Sequence, residues 1–162
     1  MTSQHIFCTS FVLTVISFIC FYAFLNPKPK MQAFKRSGSK KAAQEILDTW
    51  GSEGQAKARH NLAFDWFFIL IYSTMWVSGA FYLGPLVDAT LRVPAMLFAG
   101  IGLAGALCDV IENTCLRTML HGNASDTAPQ TCKRIAPINV GLFFTAAVYF
   151  VIAALVVCLR RF

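Results

Sequence analysis

Charge is what this sequence has least of. Only 14% of its 162 residues are Asp, Glu, Lys or Arg, against roughly a quarter in an average soluble domain, so a sizeable water-facing domain is excluded. Acids are the scarcer sign, eight against fourteen basic residues. Cysteine pairs are missing too: none of the six cysteines stands in C-x-x-C spacing, and Cys8, Cys20, Cys108 and Cys158 fall inside apolar runs. That pattern argues against thiol exchange and for small buried hydrophobes. The three histidines, His5, His60 and His121, lie outside or at the ends of the apolar runs. A ligand pair for buried haem cannot form from them, and no cofactor is expected.

What is abundant is apolar sequence, 56% of the chain. It gathers into four runs at about 6–25, 62–83, 94–115 and 137–159. At about 1.5 Å per residue each is long enough to cross a hydrocarbon core of about 30 Å. The runs are apolar throughout rather than alternating, and helices satisfy their own backbone in lipid, so strands are disfavoured. The expected fold is all-α, a polytopic membrane protein forming a single four-helix transmembrane bundle. No Lys or Arg precedes the first run and no small-x-small site follows it, so it is expected to stay as a helix rather than leave as a signal peptide.

The basic residues are unevenly placed. Eight of the fourteen lie in the loop 26–61 and three more, Arg117, Lys133 and Arg134, in the third loop. The positive-inside rule then puts both loops in the cytoplasm and both termini outside, in an inner or plasma membrane. The excess charge thus reports topology, and no nucleic-acid partner is expected. Within the first loop Asn26-Pro27-Lys28-Pro29-Lys30 breaks helix. Ala43, Ile46, Leu47 and Trp50 then recur with helical spacing before Gly51, which predicts a short amphipathic helix over about 39–50. Two placements of it stand open. It lies on the membrane surface with Trp50 at the interface, or it packs against the ends of the bundle. Lys35, Arg36, Lys40 and Lys41 are candidate contacts to anionic lipid headgroups.

The informative residues are those that do not belong in lipid: Asp65 in the second run, and Asp109, Glu112 and Asn113 in the third. Each ionisable group costs roughly 2.5–3.5 kcal/mol at membrane depth on insertion scales and calls for a partner or a purpose. Counting residues from the run ends places Asp65, Asp109, Glu112 and Asn139 at one level of the inner leaflet. Gly102, Gly105, Asp109, Glu112 and Asn113 share one helix face, while Asp65, Tyr72 and Trp76 share another. Three uses fit. The acids pair with Lys57, Arg59 or Arg117 in a structural network. With Asn113 and Asn139 they bind a proton, a metal ion or an organic cation or small amphipathic ligand, Tyr72 and Trp76 serving as cation–π walls. Or they act as general acid and base on a lipidic substrate. The second is the favoured expectation, which makes an enzyme the less favoured one. Transport through four helices would call for a homodimer.

Asp109-Val110-Ile111-Glu112-Asn113 with Leu116 and Met119-Leu120, together with Ala42-Ala43-Gln44-Glu45-Ile46-Leu47, Trp50, and Leu62-Ala63-Phe64-Asp65-Trp66-Phe67-Phe68-Ile69 with Tyr72, resembles small uncharacterised four-helix membrane proteins, mostly bacterial. The resemblance covers roughly residues 38–120. It implies the four-helix fold and the importance of the intramembrane acids, and it implies no activity.

Overall fold

The structure, a computed structural model, describes residues 2–24, 31–87, 89–122 and 125–159. Five helices and no strand occur among these: α1 Ser3–Phe24, α2 Met31–Lys35, α3 Lys40–Leu83, α4 Ala89–Leu120 and α5 Thr127–Leu159. The proline-rich exit at 26–30 and the terminal Arg160 and Arg161 lie outside the described residues. Helices α1, α3, α4 and α5 are each long and apolar enough to cross a membrane, as the runs predict.

Three of them overshoot it. The 33 residues of α5 span about 50 Å, well beyond a hydrocarbon core of about 30 Å. It begins ten residues before Pro137 and runs through that proline, although sequence places its start there. The segment 52–61, expected as loop, is likewise continuous with the second membrane helix. The extensions survive because they pack on one another.

The packing makes two layers. In the membrane layer α4 lies against α5 and α3, while α1 packs on α3. Small residues such as Ala95, Ala99, Ala106 and Ala146 are buried in it, as suits helices that must approach closely in lipid. Ser10, Thr14 and Ser17 form the buried stripe of α1. Ser10 and Thr14 hydroxyls donate to carbonyls one turn back, Ile6 at 2.7 Å and Ser10 at 2.8 Å, so neither is left unsatisfied. Phe67, Leu70, Leu97, Leu107 and Val148 point outward, into the lipid.

The second layer is a cap on the side of the first and third loops. Ser39 caps the helical run at its N-terminus, accepting from the Ala42 amide at 3.2 Å. The run breaks at Gly51, whose φ of 58° and ψ of −165° suit glycine alone. Gln55 donates to the carbonyl of Leu47 across the break at 3.1 Å. Residues 40–50 thereby fold back, burying Ala43, Leu47 and Trp50 with Phe34, Leu116 and Met119. The rings of Phe34 and Trp50 lie 4.9 Å apart. Of the two placements open from sequence, packing against the bundle ends is the one observed. Trp50 is buried because the aromatic stack covers it.

Candidate functional site

The acids sit between the two layers. Ile69, Tyr72 and Trp76 belong to the membrane cluster and Leu62, Leu116 and Met119 to the cap cluster, so α3 and α4 present Asp65, Asp109 and Glu112 at the seam. Asp109, Glu112, Asn113 and Asn139 are all buried. Asp65 is half-buried.

Asp109 is held by two neutral donors from two helices. The Tyr72 hydroxyl donates to its Oδ2 at 2.6 Å, and the Asn139 amide donates to its Oδ1. Glu112 takes a cation instead: Lys35 of α2 reaches up from the cap and forms an ion pair with its Oε1. Burial works against the charge on Lys35, but Glu112, with Asp65 and Asp109 farther off, outweighs it and holds the ammonium above the usual lysine range. Asp65 lies beside Asn113, and no ion pair forms on it among the described residues.

These groups border a cavity of about 250 Å³. Asp65, Asp109, Asn61, Asn139 and Lys35 supply its polar wall and Phe68 and Phe143 its aromatic one. Asn139 is 8% exposed, and its Oδ1 has no hydrogen-bond partner. Phe18 of α1 and Phe144 of α5 stand at the rim, both more than half exposed. The cavity therefore opens sideways toward lipid, between α1 and α5. Phe143 also lines a separate apolar groove of about 390 Å³ between the same two helices, floored by Met75 and Trp76 and walled by Phe11, Ala147 and Val151.

The sequence sets Asp65, Asp109, Glu112 and Asn139 at one depth; in the structure Asp65, Asp109 and Asn139 border one cavity, and Glu112 and Asn113 are buried outside its lining. The sequence misplaces others. Lys35 is no headgroup contact, because its side chain folds inward onto Glu112. Arg36, Lys40 and Lys41 remain exposed. Lys57 pairs with Glu53 one turn away at 2.7 Å, and Arg59 and Arg117 make no ion pair with the acids among the described residues. Tyr72 does not wall the cavity, since its hydroxyl is turned to Asp109. Trp76 lies one turn deeper, stacked on Phe150 at 5.3 Å between ring centroids. Its indole fits there because α4 offers Gly102: a Cβ on that residue would lie 2.7 Å from the Trp76 Cγ.

Missed from sequence were Asn61, Phe68 and Phe143. Asn61 stands one turn before Asp65, and Phe143 one turn after Asn139, so the helix-face argument that grouped the acids reaches them as well. Lys35 carries no such signal, since only the fold of the cap brings it to Glu112. Among the described residues no three or more His, Cys, Asp or Glu side chains converge as a metal cage would require. No family model, curated protein or solved structure matches the chain.

Proposed function

We propose that the cavity binds the amine head of a small amphipathic cation whose apolar part lies in the groove between α1 and α5. The observation that carries this reading is the imbalance of the cavity wall. Two carboxylates, Asp65 and Asp109, and the Asn139 amide border the space, while the neighbouring cation, Lys35, is taken by Glu112. Acceptors in excess select a ligand rich in N–H donors, and carboxylates select positive charge. The Phe68 and Phe143 rings add cation–π faces. A mostly apolar pocket with a few converging polar groups is the usual form of a small-molecule site.

The reading places the cap in the cytosol and both termini outside an inner or plasma membrane, on the positive-inside count. A cysteine at exposed position 52 should then resist an impermeant reagent applied to intact cells, and labelling there would reverse the orientation. Binding is tested with dodecylammonium against dodecanol in lipid nanodiscs, with affinity expressed per mole fraction in the bilayer so that partitioning cancels. Dodecylammonium should bind at least about tenfold more tightly than dodecanol, and Asp65→Asn should remove that preference, about the worth of one charged hydrogen bond. Equal binding of the two probes, or an Asp65→Asn protein that keeps the preference, would overturn the reading.

A further inference from the structure

A second cavity, of about 400 Å³, lies between α3 and α4 and is lined by Arg59, Leu62, Trp66, Asn113, Arg117 and His121, with Ala63 and Leu120. We infer that it is a binding site for the phosphate of an anionic phospholipid, with the acyl chains lying along the lipid-facing side of α3 and α4. This inference is independent of the amine site.

Helical spacing builds the pocket from both sides. Arg59, Leu62 and Trp66 fall at i, i+3 and i+7 on one helix, and Asn113, Arg117 and His121 at i, i+4 and i+8 on its antiparallel neighbour. The two arginines therefore meet at one depth. Arg59 stands about 4.5 Å before the second apolar run and Arg117 about 3 Å after the third, which is headgroup level. Neither guanidinium forms an ion pair among the described residues. Orientation signals alone require only that cations lie on one side of the membrane. Convergence of two from different helices on one cavity goes beyond that requirement.

The independent sign of a ligand is Asn113. It is 1% exposed and borders the cavity; the Asp65 carboxylate is its polar neighbour, yet neither its Nδ2 nor its Oδ1 has a partner at hydrogen-bond distance. An amide this deeply buried is normally satisfied. A phosphate oxygen in the cavity would accept from Nδ2 while both guanidinium forks close on the others, the geometry in which arginine recognises phosphate best. Trp66, 40% exposed beside Phe67 and Leu70, offers the interfacial indole and apolar surface that a lipid needs and a free ion does not. Basic pockets between membrane helices at the interface hold anionic headgroups in this manner.

The test counts bound lipid by native mass spectrometry and reads the thermal midpoint in phosphatidylcholine nanodiscs as phosphatidylglycerol is added. The wild type should retain one phosphatidylglycerol at least about tenfold more tightly than phosphatidylcholine. Arg59→Gln with Arg117→Gln should abolish the preference. Both side chains are exposed, so packing is kept. Asn113→Leu should weaken the preference without any change of charge, and Lys40→Gln with Lys41→Gln should leave it intact. Inorganic phosphate added to phosphatidylcholine nanodiscs should not raise the midpoint. Three results overturn the inference: a preference that survives loss of both arginines, a preference lost with Lys40 and Lys41 instead, or an equal response to inorganic phosphate, which would assign the site to the free ion.

Discussion

Tyr72 and Asp109, on different helices, meet through a 2.6 Å hydrogen bond from phenol to carboxylate, and Asn139 closes the opposite oxygen from a third helix. One acid thus fastens α3, α4 and α5 at the seam between the membrane layer and the cap. The two donors respond differently to substitution. In Asp109→Asn the new amide can still accept from Tyr72, and Asn139 can turn its unpartnered Oδ1 toward the new N–H, so stability should change by less than about 1 kcal/mol. Asp109→Leu leaves the Tyr72 hydroxyl and the Asn139 amide without acceptors and should cost about 2–6 kcal/mol, about 1–3 for each stranded group. Thermal melts in detergent compare them. Equal losses in both variants would mean that the acid matters for its charge rather than for its hydrogen bonds.

The pair Lys35 and Glu112 behaves as a buried ion pair. Removing one partner, as in Glu112→Gln, should cost about 3–5 kcal/mol because the ammonium is stranded. Removing both, Lys35→Met with Glu112→Leu, should recover most of that loss, since the charges and their desolvation leave together. The coupling from a double-mutant cycle is the measurement. Additive losses would show that the two side chains do not act as a unit.

Much of this site is legible in the sequence, and the boundary is physical. Polar residues in apolar runs stand out because lipid penalises them, and counting residues along straight helices gives their depth and face. Residue counting of this kind reaches Asp65, Asp109, Glu112 and Asn139. It reaches no contact made by the cap, because Lys35 comes to Glu112 only through the left-handed turn at Gly51 and the stack of Phe34 on Trp50. The helix ends differ from the ends of the apolar runs for a related reason: the extension 127–136 is too polar for lipid, and it is helical because it packs in the cap, where Cys132 is fully buried.

Alkaline pH should loosen the cap late. Lys35 is held above its ordinary value of 10.5. A group whose folded value is raised stabilises fully below the unfolded value, and that stabilisation is lost as pH rises through the folded one. The Lys35 contribution should therefore be constant from neutral pH to about 10 and fall only above the ordinary lysine range. Melting the wild type and the Lys35→Met/Glu112→Leu protein over that interval isolates it. A difference between the two that already shrinks by pH 9 would contradict the burial of this ion pair.

Two glycines two residues apart on α4 make a matched test of how the groove floor is built. Gly102 receives the Trp76 indole, and a Cβ there would lie 2.7 Å from both Cγ and Nε1. Rings do not yield at such a distance, so Gly102→Ala must displace Trp76 or spread α3 from α4. Overpacking of this kind costs about 1–3 kcal/mol. Gly100 has nothing within 4 Å of its would-be Cβ, and alanine there should be neutral or stabilising by up to about 1 kcal/mol through its better helix propensity. Because Trp76 also floors the groove between α1 and α5, Gly102→Ala should shift the tryptophan emission and weaken dodecylammonium binding, while Gly100→Ala changes neither. Identical melts for the two alanine variants would show that α3 and α4 are not in close contact at this level.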